Sequence, residues 1–252
     1  MLPTFTFFRL VIPVPILTIL AGIWIGLSVT ERFCQRNGIS ANTLYNLVFA
    51  TLISSAVTAR MFYVLAYPKI FLGDPLSIVS PSVGLFDPWG AAAGGLVAFI
   101  AYTQQSKNRI NTMLDALTPA LAIFALAFHL SNFASGSGYG TTSSVPWAIN
   151  LLGMQRHPVQ IYEAVGAALI FLVLWRNWLT LGAIPGRDFF QFIAVSACAR
   201  LFFEFFHADS QLVAGQFRLV QIAAWLILAL CLIALHRLEQ KSPQSVQATY
   251  PQ

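Results

Sequence analysis

Seven mainly apolar stretches divide this chain, at roughly 10–30, 44–66, 90–104, 113–133, 159–176, 188–207 and 217–236. A helix crossing the hydrocarbon core of a bilayer needs about 20 such residues. The third stretch is the shortest and contains Gly94 and Gly95. The shorter alternating segments that mark a membrane β-barrel are not found. The pattern predicts an all-α polytopic membrane protein with about seven transmembrane helices. It shows neither an internal repeat nor a second soluble domain. Residues 1–239 read as a single transmembrane helical domain, and 240–252 (QKSPQSVQATYPQ) as a disordered cytoplasmic tail.

Composition agrees. Of 252 residues 57% are apolar and only 9% charged, against about 25% charged in an average soluble domain. The net charge of +5 is distributed by side of the membrane. Loops 31–43, 105–112 and 177–187 with the C-terminal tail carry Arg32, Arg36, Lys107, Arg109, Arg187, Arg237 and Lys241, and Arg176 sits at the edge of the third loop. The opposite side carries Arg9, Lys69, Arg156 and Arg218. The excess of Lys and Arg on the first side predicts an N-terminus outside and a C-terminus inside. The positive charge therefore serves topology and headgroup contact, and nucleic acid is not an expected partner. The first stretch has no basic n-region and no convincing cleavage site, so it reads as a retained helix. Cys34, Cys198 and Cys231 are odd in number and dispersed, which predicts neither a disulfide framework nor a metal site.

Ionisable residues inside apolar helices are candidates for function. With the predicted orientation, Arg60, His129, Asn132, Gln160, Glu163, Arg200 and Glu204 fall in one layer in the outer half of the membrane. Arg200 and Glu204 are one turn apart and share a helix face, as do Gln160 and Glu163. Ion pairs that merely neutralise one another inside the bundle would also account for these residues. Residues 134–149 (ASGSGYGTTSSVPWAI) follow Asn132. Gly136, Gly138 and Gly140 allow tight turns there, and a nest of backbone amides for a phosphate is the sharper reading. Asp115 reads as a cap or loop contact. Trp89 and Trp147 suit an aromatic belt. His207 and Asp209, at the end of the sixth stretch, read as facing headgroups.

At these residues the sequence resembles bacterial prolipoprotein diacylglyceryl transferases. HPVQIYEA (157–164) is similar to the family's HPSQLYEA, and NFASGSGYG (132–140) to its N-F-x-N-G-E-x-x-G. AGGL (93–96) lies where the family has HGGL. ACARLFFEFF (197–206) resembles F-R-x-x-x-E-F-F/x-R, and TARMFYVLAY (58–67) resembles G-R-x-x-Y-V. The resemblance covers about residues 50–225. It implies transfer of a diacylglyceryl group from phosphatidylglycerol to the lipobox cysteine thiol of an exported prolipoprotein at the bacterial inner membrane, with glycerol phosphate leaving. No cofactor is implied. The nucleophile belongs to the substrate, so the protein has to bind phosphate, orient the glycerol carbon and help deprotonate a thiol.

Retained positions are Arg60, Asn132, Gly140, Pro158, Gln160, Tyr162, Glu163, Arg200, Glu204 and Gln221. Family positions are changed at Ala93, where the histidine stood, at His129 for an arginine, at Ser137 for a glutamate and at Ser196 for a tyrosine. The expected lipid-binding set is Arg60, His129, Asn132, Gly140, Gln160, Glu163, Arg200 and Glu204. His129 and Arg200 are the expected catalytic residues. A histidine binds phosphate when charged and takes a thiol proton when neutral, and one residue does not do both at once. Two other readings stand beside the transferase. One is a non-catalytic lipid- or lipoprotein-binding protein on the same scaffold, a pseudoenzyme. The other is a small transporter, against which the missing repeat argues.

Overall fold

A computed structural model describes residues 4–247 except 8–9, 35–37, 80–85, 107, 181–183, 209 and 214. Asp209, and the Arg9, Arg36 and Lys107 of the charge count, lie outside the described residues. Eight helices account for most of the described chain: α1 Val14–Cys34, α2 Ala41–Ala66, α3 Pro68–Gly73, α4 Pro88–Gln105, α5 Ile110–Ser135, α6 Val159–Thr180, α7 Arg187–Phe203 and α8 Leu219–Gln247. Each of the seven apolar stretches has become a helix. The fold is that of an all-α, multi-pass membrane protein.

Six of these helices, α1, α2, α5, α6, α7 and α8, are long and apolar enough to cross a bilayer. The third stretch, α4, is not among them. Its 18 residues include Pro88, Gly90, Gly94, Gly95, Thr103, Gln104 and Gln105, which dilute its apolar content. Large apolar side chains on the long helices face outward, among them Trp24, Leu65, Val173 and Leu230. In water that would be an aggregation surface, whereas in lipid it is the solvent-facing side. Helix α8 continues to Gln247, so helical backbone enters the segment assigned from sequence to a disordered tail.

The structure adds three small antiparallel hairpins: β1 Thr4–Phe7 with β2 Leu10–Pro13, β3 Ile149–Leu151 with β4 Met154–Arg156, and β5 Leu212–Val213 with β6 Phe217–Arg218. None is legible as an alternating run, because strands of two to four residues are too short to show a period. The β3–β4 turn has Leu152 and Gly153 at positive φ (57° and 76°), the geometry of a tight two-residue hairpin.

The backbone forms two compact units, Cys34–Met113 and the remainder of the chain. The division falls inside the span 1–239 that the sequence treats as one domain. In the first unit α4 lies along α2 with almost no gap. A Cβ on Gly94 would overlap the Thr58 side chain, and Ser54 Oγ donates to the Gly94 carbonyl at 3.0 Å. Small residues let two backbones approach this closely, and in lipid such packing replaces the hydrophobic drive. In the second unit an apolar cluster of Phe33, Ala122, Leu174, Trp178 and Phe192 ties α1, α5, α6 and α7 together. Phe33 meets Trp175 edge-on at 5.0 Å. Asp115, 4% exposed, accepts from the backbone N–H groups of Gly186 (2.5 Å) and Phe189 (2.9 Å). It caps the N-terminus of α7, which has no side-chain cap of its own, and so fixes where α7 starts.

Candidate functional site

Within the larger unit, the end of α5, the start of α6 and the end of α7 bring their polar residues together. Glu163, on the second turn of α6 and 4% exposed, is the hub. Its Oε2 lies 3.0 Å from His129 Nδ1 on α5. Its Oε1 lies 2.9 Å from His207 Nε2 and also accepts from Arg200 Nη1 on α7. Arg200 Nη2 is 2.9 Å from Glu204 Oε2, the one-turn pair expected from spacing. Glu204 is 1% exposed and its Oε1 accepts from Ser210 Oγ at 2.6 Å. Arg218, from β6, donates to the Glu204 backbone carbonyl. Buried carboxylates are tolerated in a bilayer only with partners of this kind.

The remaining expected residues divide. Asn132 lines the same cavity as Glu163 and Arg200. Gln160 is fully buried, and its Nε2 donates to the Ser137 carbonyl at 2.9 Å, so it holds the glycine-rich segment rather than reaching into open space. Its Oε1 has no hydrogen-bond partner among the described residues. Gly140 forms an antiparallel bridge with His207, and its carbonyl accepts from Arg156 Nη1 at 3.1 Å. A Cβ there would collide with the His157 carbonyl, so only glycine fits. Gly136 and Gly138 have φ of 77° and 62°. Arg60 lies in the other unit, where Ile78 O accepts from its Nε at 2.7 Å and Ser77 O accepts from its Nη2. Tyr162 accepts from Trp147 Nε1 at 2.6 Å and packs on Phe206.

His207 is the residue the sequence reading placed wrongly. It does not face headgroups: it is 5% exposed and contacts both Glu163 and Arg200. After α7 the chain makes one tight helical turn, Glu204–Phe206, before leaving the helix. That turn keeps His207 on the face of Arg200 and Glu204. The signal was present, since positions 200, 204 and 207 repeat at helical spacing, and the family stretch quoted above closes on an arginine where this chain has His207.

Two cavities meet at the cluster. The larger, about 570 Å³, is lined by Asn132, Glu163, Arg200, Glu204, His207 and Ser210 together with the apolar Phe128, Leu219 and Val220. The smaller, about 130 Å³, is bounded mostly by apolar side chains, among them Ala125, Ile170, Phe192 and Phe203. His129, Glu163 and Arg200 line both. Ionisable side chains at the shared wall of two mainly apolar cavities suit an amphiphile whose reacting bond lies between head and tails.

The profile of the family described as prolipoprotein diacylglyceryl transferase matches residues 5–237. Similar curated proteins carry the name phosphatidylglycerol–prolipoprotein diacylglyceryl transferase. That of Finegoldia magna is 26% identical over 206 residues, 81% of this chain and 82% of its own length. That of Geobacter sulfurreducens is 28% identical over 213 residues, covering 78% and 79%. That of Synechococcus elongatus is 25% identical over 251 residues, covering 92% and 86%.

Proposed function

The chain belongs to the prolipoprotein diacylglyceryl transferase family, and on that premise we propose that it moves the diacylglyceryl group of phosphatidylglycerol onto the lipobox cysteine thiol of exported prolipoproteins. The single observation that carries this reading is the shared wall of the two cavities, where His129 and Arg200 flank Glu163.

In this reaction the thiol sulfur attacks the glycerol carbon that bears the phosphate. The carbon–oxygen bond breaks, its electron pair stays on the phosphate oxygen, and glycerol phosphate departs. The thiol proton needs an acceptor. His129 Nδ1 lies within ion-pair distance of Glu163 Oε2, at 3.0 Å but without hydrogen-bond geometry, and we assign Nε2 as the nitrogen that takes the proton. This is the carboxylate–imidazole arrangement that orients a general base. Arg200 supplies the permanent cation for the phosphate. Asn132 and the Gly136–Gly140 segment complete the headgroup wall, and Gln160 fixes that segment through the Ser137 carbonyl. Glu204 holds Arg200 in place.

The setting we infer is the bacterial inner membrane, with the N-terminus outside, the C-terminus inside, and α4 as the third and shortest of seven crossings. The excess of Lys and Arg in one set of loops supports it. It places the cluster in the outer half of the bilayer, where exported substrates are presented. Arg109→Cys and Ser137→Cys are then labelled by an impermeant thiol reagent from opposite sides. Labelling of both from one side defeats the orientation.

The transfer itself is tested with purified protein, phosphatidylglycerol and a lipobox peptide. The expected result is a peptide heavier by one diacylglyceryl group, with glycerol phosphate released in equal amount. A peptide of unchanged mass, under conditions in which a relative modifies it, sinks the transferase reading.

A further inference from the structure

We propose that the smaller cavity is the seat for the first carbons of one acyl chain of the lipid, and that the small side chains of Ala125, Ala167 and Ser196 are what admit the chain. That the lipid is phosphatidylglycerol rests on the function proposed above. The seat itself rests on the packing of α5, α6 and α7.

These three helices line the cavity in tiers. His129, Glu163 and Arg200 form the ionisable tier, near the end of α5, the start of α6 and the end of α7. One turn further into each helix, four residues away in sequence, stand Ala125, Ala167 and Ser196. Another turn in lie Ile170 and Phe192. Phe192 is buried in the apolar cluster with Leu174 and Trp178, and Ile170 packs against that cluster. The cavity therefore has charge at one end, small side chains around its middle and a floor built on packed core. Phe203 forms part of the wall. Gly166 on α6 leaves room for that ring, since a Cβ there would lie 2.7 Å from Phe203 Cε2.

Packed interiors leave few voids larger than a water molecule. This one measures about 130 Å³. A cavity of about 150 Å³ lined by Leu, Ile and Phe stays dry and takes up benzene, a ring of six carbons. On that scale the seat holds about six chain carbons. Outside the ionisable tier, Ser196 is the one polar side chain that lines it, so an apolar occupant fits best. Position selects which one. The bond that breaks in the proposed reaction lies at the ionisable tier, and the neighbouring glycerol carbons carry the acyl esters. A chain that starts there and runs one turn inward passes between the small side chains first. The cavity is half open, so the remaining carbons leave through its side toward the bilayer. Larger side chains at 125, 167 or 196 would occupy the same space.

The test uses the full chain in phosphatidylcholine nanodiscs and a phosphatidylglycerol whose photoreactive diazirine lies within about the first six carbons of one acyl chain. After irradiation, peptide mass spectrometry maps the labelled residues. The expected labels fall on Ala167, Ile170, Ser196 and Ala199, and are lost when unlabelled dihexanoyl-phosphatidylglycerol is added. Labels on the outward-facing Val173 and Leu230 report bulk lipid and persist. Ala167→Leu and Ser196→Tyr fill the cavity, and each abolishes the label at Ile170. Wild-type labelling confined to outward-facing residues overturns the proposal without any variant, so the wild-type map decides alone if neither variant folds. An Ile170 label retained in both folded variants overturns the role of the small side chains. Displacement of the cavity labels by the lipobox peptide, but not by dihexanoyl-phosphatidylglycerol, assigns the cavity to a peptide side chain and overturns the proposal as well. Transfer to the lipobox peptide is read separately. Transfer without cavity labelling refutes the seat alone, and cavity labelling without transfer refutes the transferase reading alone.

Discussion

Arg60 and Arg200 are both arginines in membrane-spanning helices, yet the molecule treats them differently. Among the described residues Arg60 gives two of its donors to the backbone, the carbonyls of Ile78 and Ser77, and its guanidinium lies over the rings of Phe71 (5.3 Å) and Phe86 (5.7 Å). Arg200 is held by side chains, Glu163 and Glu204, and its own side chain is 34% exposed to two cavities. Backbone carbonyls on a fixed turn do not move aside for a ligand. A carboxylate such as Glu163 can release Arg200, because two histidines also hold it. A guanidinium satisfied by carbonyls closes a fold, and one satisfied by carboxylates at a cavity wall can exchange partners.

Glu163→Gln removes the hub of the second arrangement and is expected to have the largest effect. Transfer to the lipobox peptide falls by about 100-fold or more, because His129 loses its orienting carboxylate. Stability falls by about 3–5 kcal/mol, the usual effect of leaving a buried partner unpaired. Peptide mass spectrometry and unfolding in detergent read the two effects. Near-normal transfer would show that His129 needs no carboxylate.

The contrast itself is tested by Arg60→Gln against Arg200→Gln. The first lowers stability by about 2–3 kcal/mol, since two carbonyls lose their donors, while the folded fraction still transfers. The second lowers transfer about 100-fold in protein that still folds, because the permanent cation at the phosphate is gone. Equal loss of transfer in folded protein from both would erase the distinction.

Gly94→Val forces α4 away from Thr58 on α2 and destabilises by about 1–3 kcal/mol, visible as a lower midpoint of thermal unfolding. Trp147→Phe, which removes the indole donor to Tyr162, shifts stability by only about 1 kcal/mol and leaves transfer close to normal. A larger effect of Trp147→Phe than of Gly94→Val would mean that the Trp147–Tyr162 contact, rather than the helix contact, limits stability.

The helices were legible in the sequence because lipid imposes a rule on long segments, and six of the seven apolar runs satisfy it. The cluster was legible in part. Arg200 and Glu204 declare themselves by spacing, and Glu163 by its implausibility in an apolar run. Their meeting could be inferred only from shared depth. His207 escaped because its place depends on a tight turn beyond the helix end and on a bridge to Gly140, far earlier in the chain. Asp115 was recognisable as a cap, but its partner, the N-terminus of α7, is a tertiary fact. Arg60 shows the opposite limit: the residue type suggested a ligand contact, and only coordinates reveal the Ser77 and Ile78 carbonyls.

The bridge between Gly140 and His207 also sets an order on biosynthesis. Chains emerge and fold N-terminal part first, so α6 reaches the membrane carrying Glu163 before Arg200 and His207 have been made. At that moment His129 is its only partner among the described residues of the completed cluster, and an ionised carboxylate in the second turn of an apolar helix disfavours insertion. Helix α6 therefore settles only when α7 arrives, and the wall formed by residues 139–141 closes after residue 208 is in place. Nascent chains stalled after α6 are expected to leave it exposed to a water-soluble thiol reagent at a cysteine in position 167, and chains stalled after β6 to protect it. Equal protection at both lengths would show that His129 alone is enough to seat Glu163.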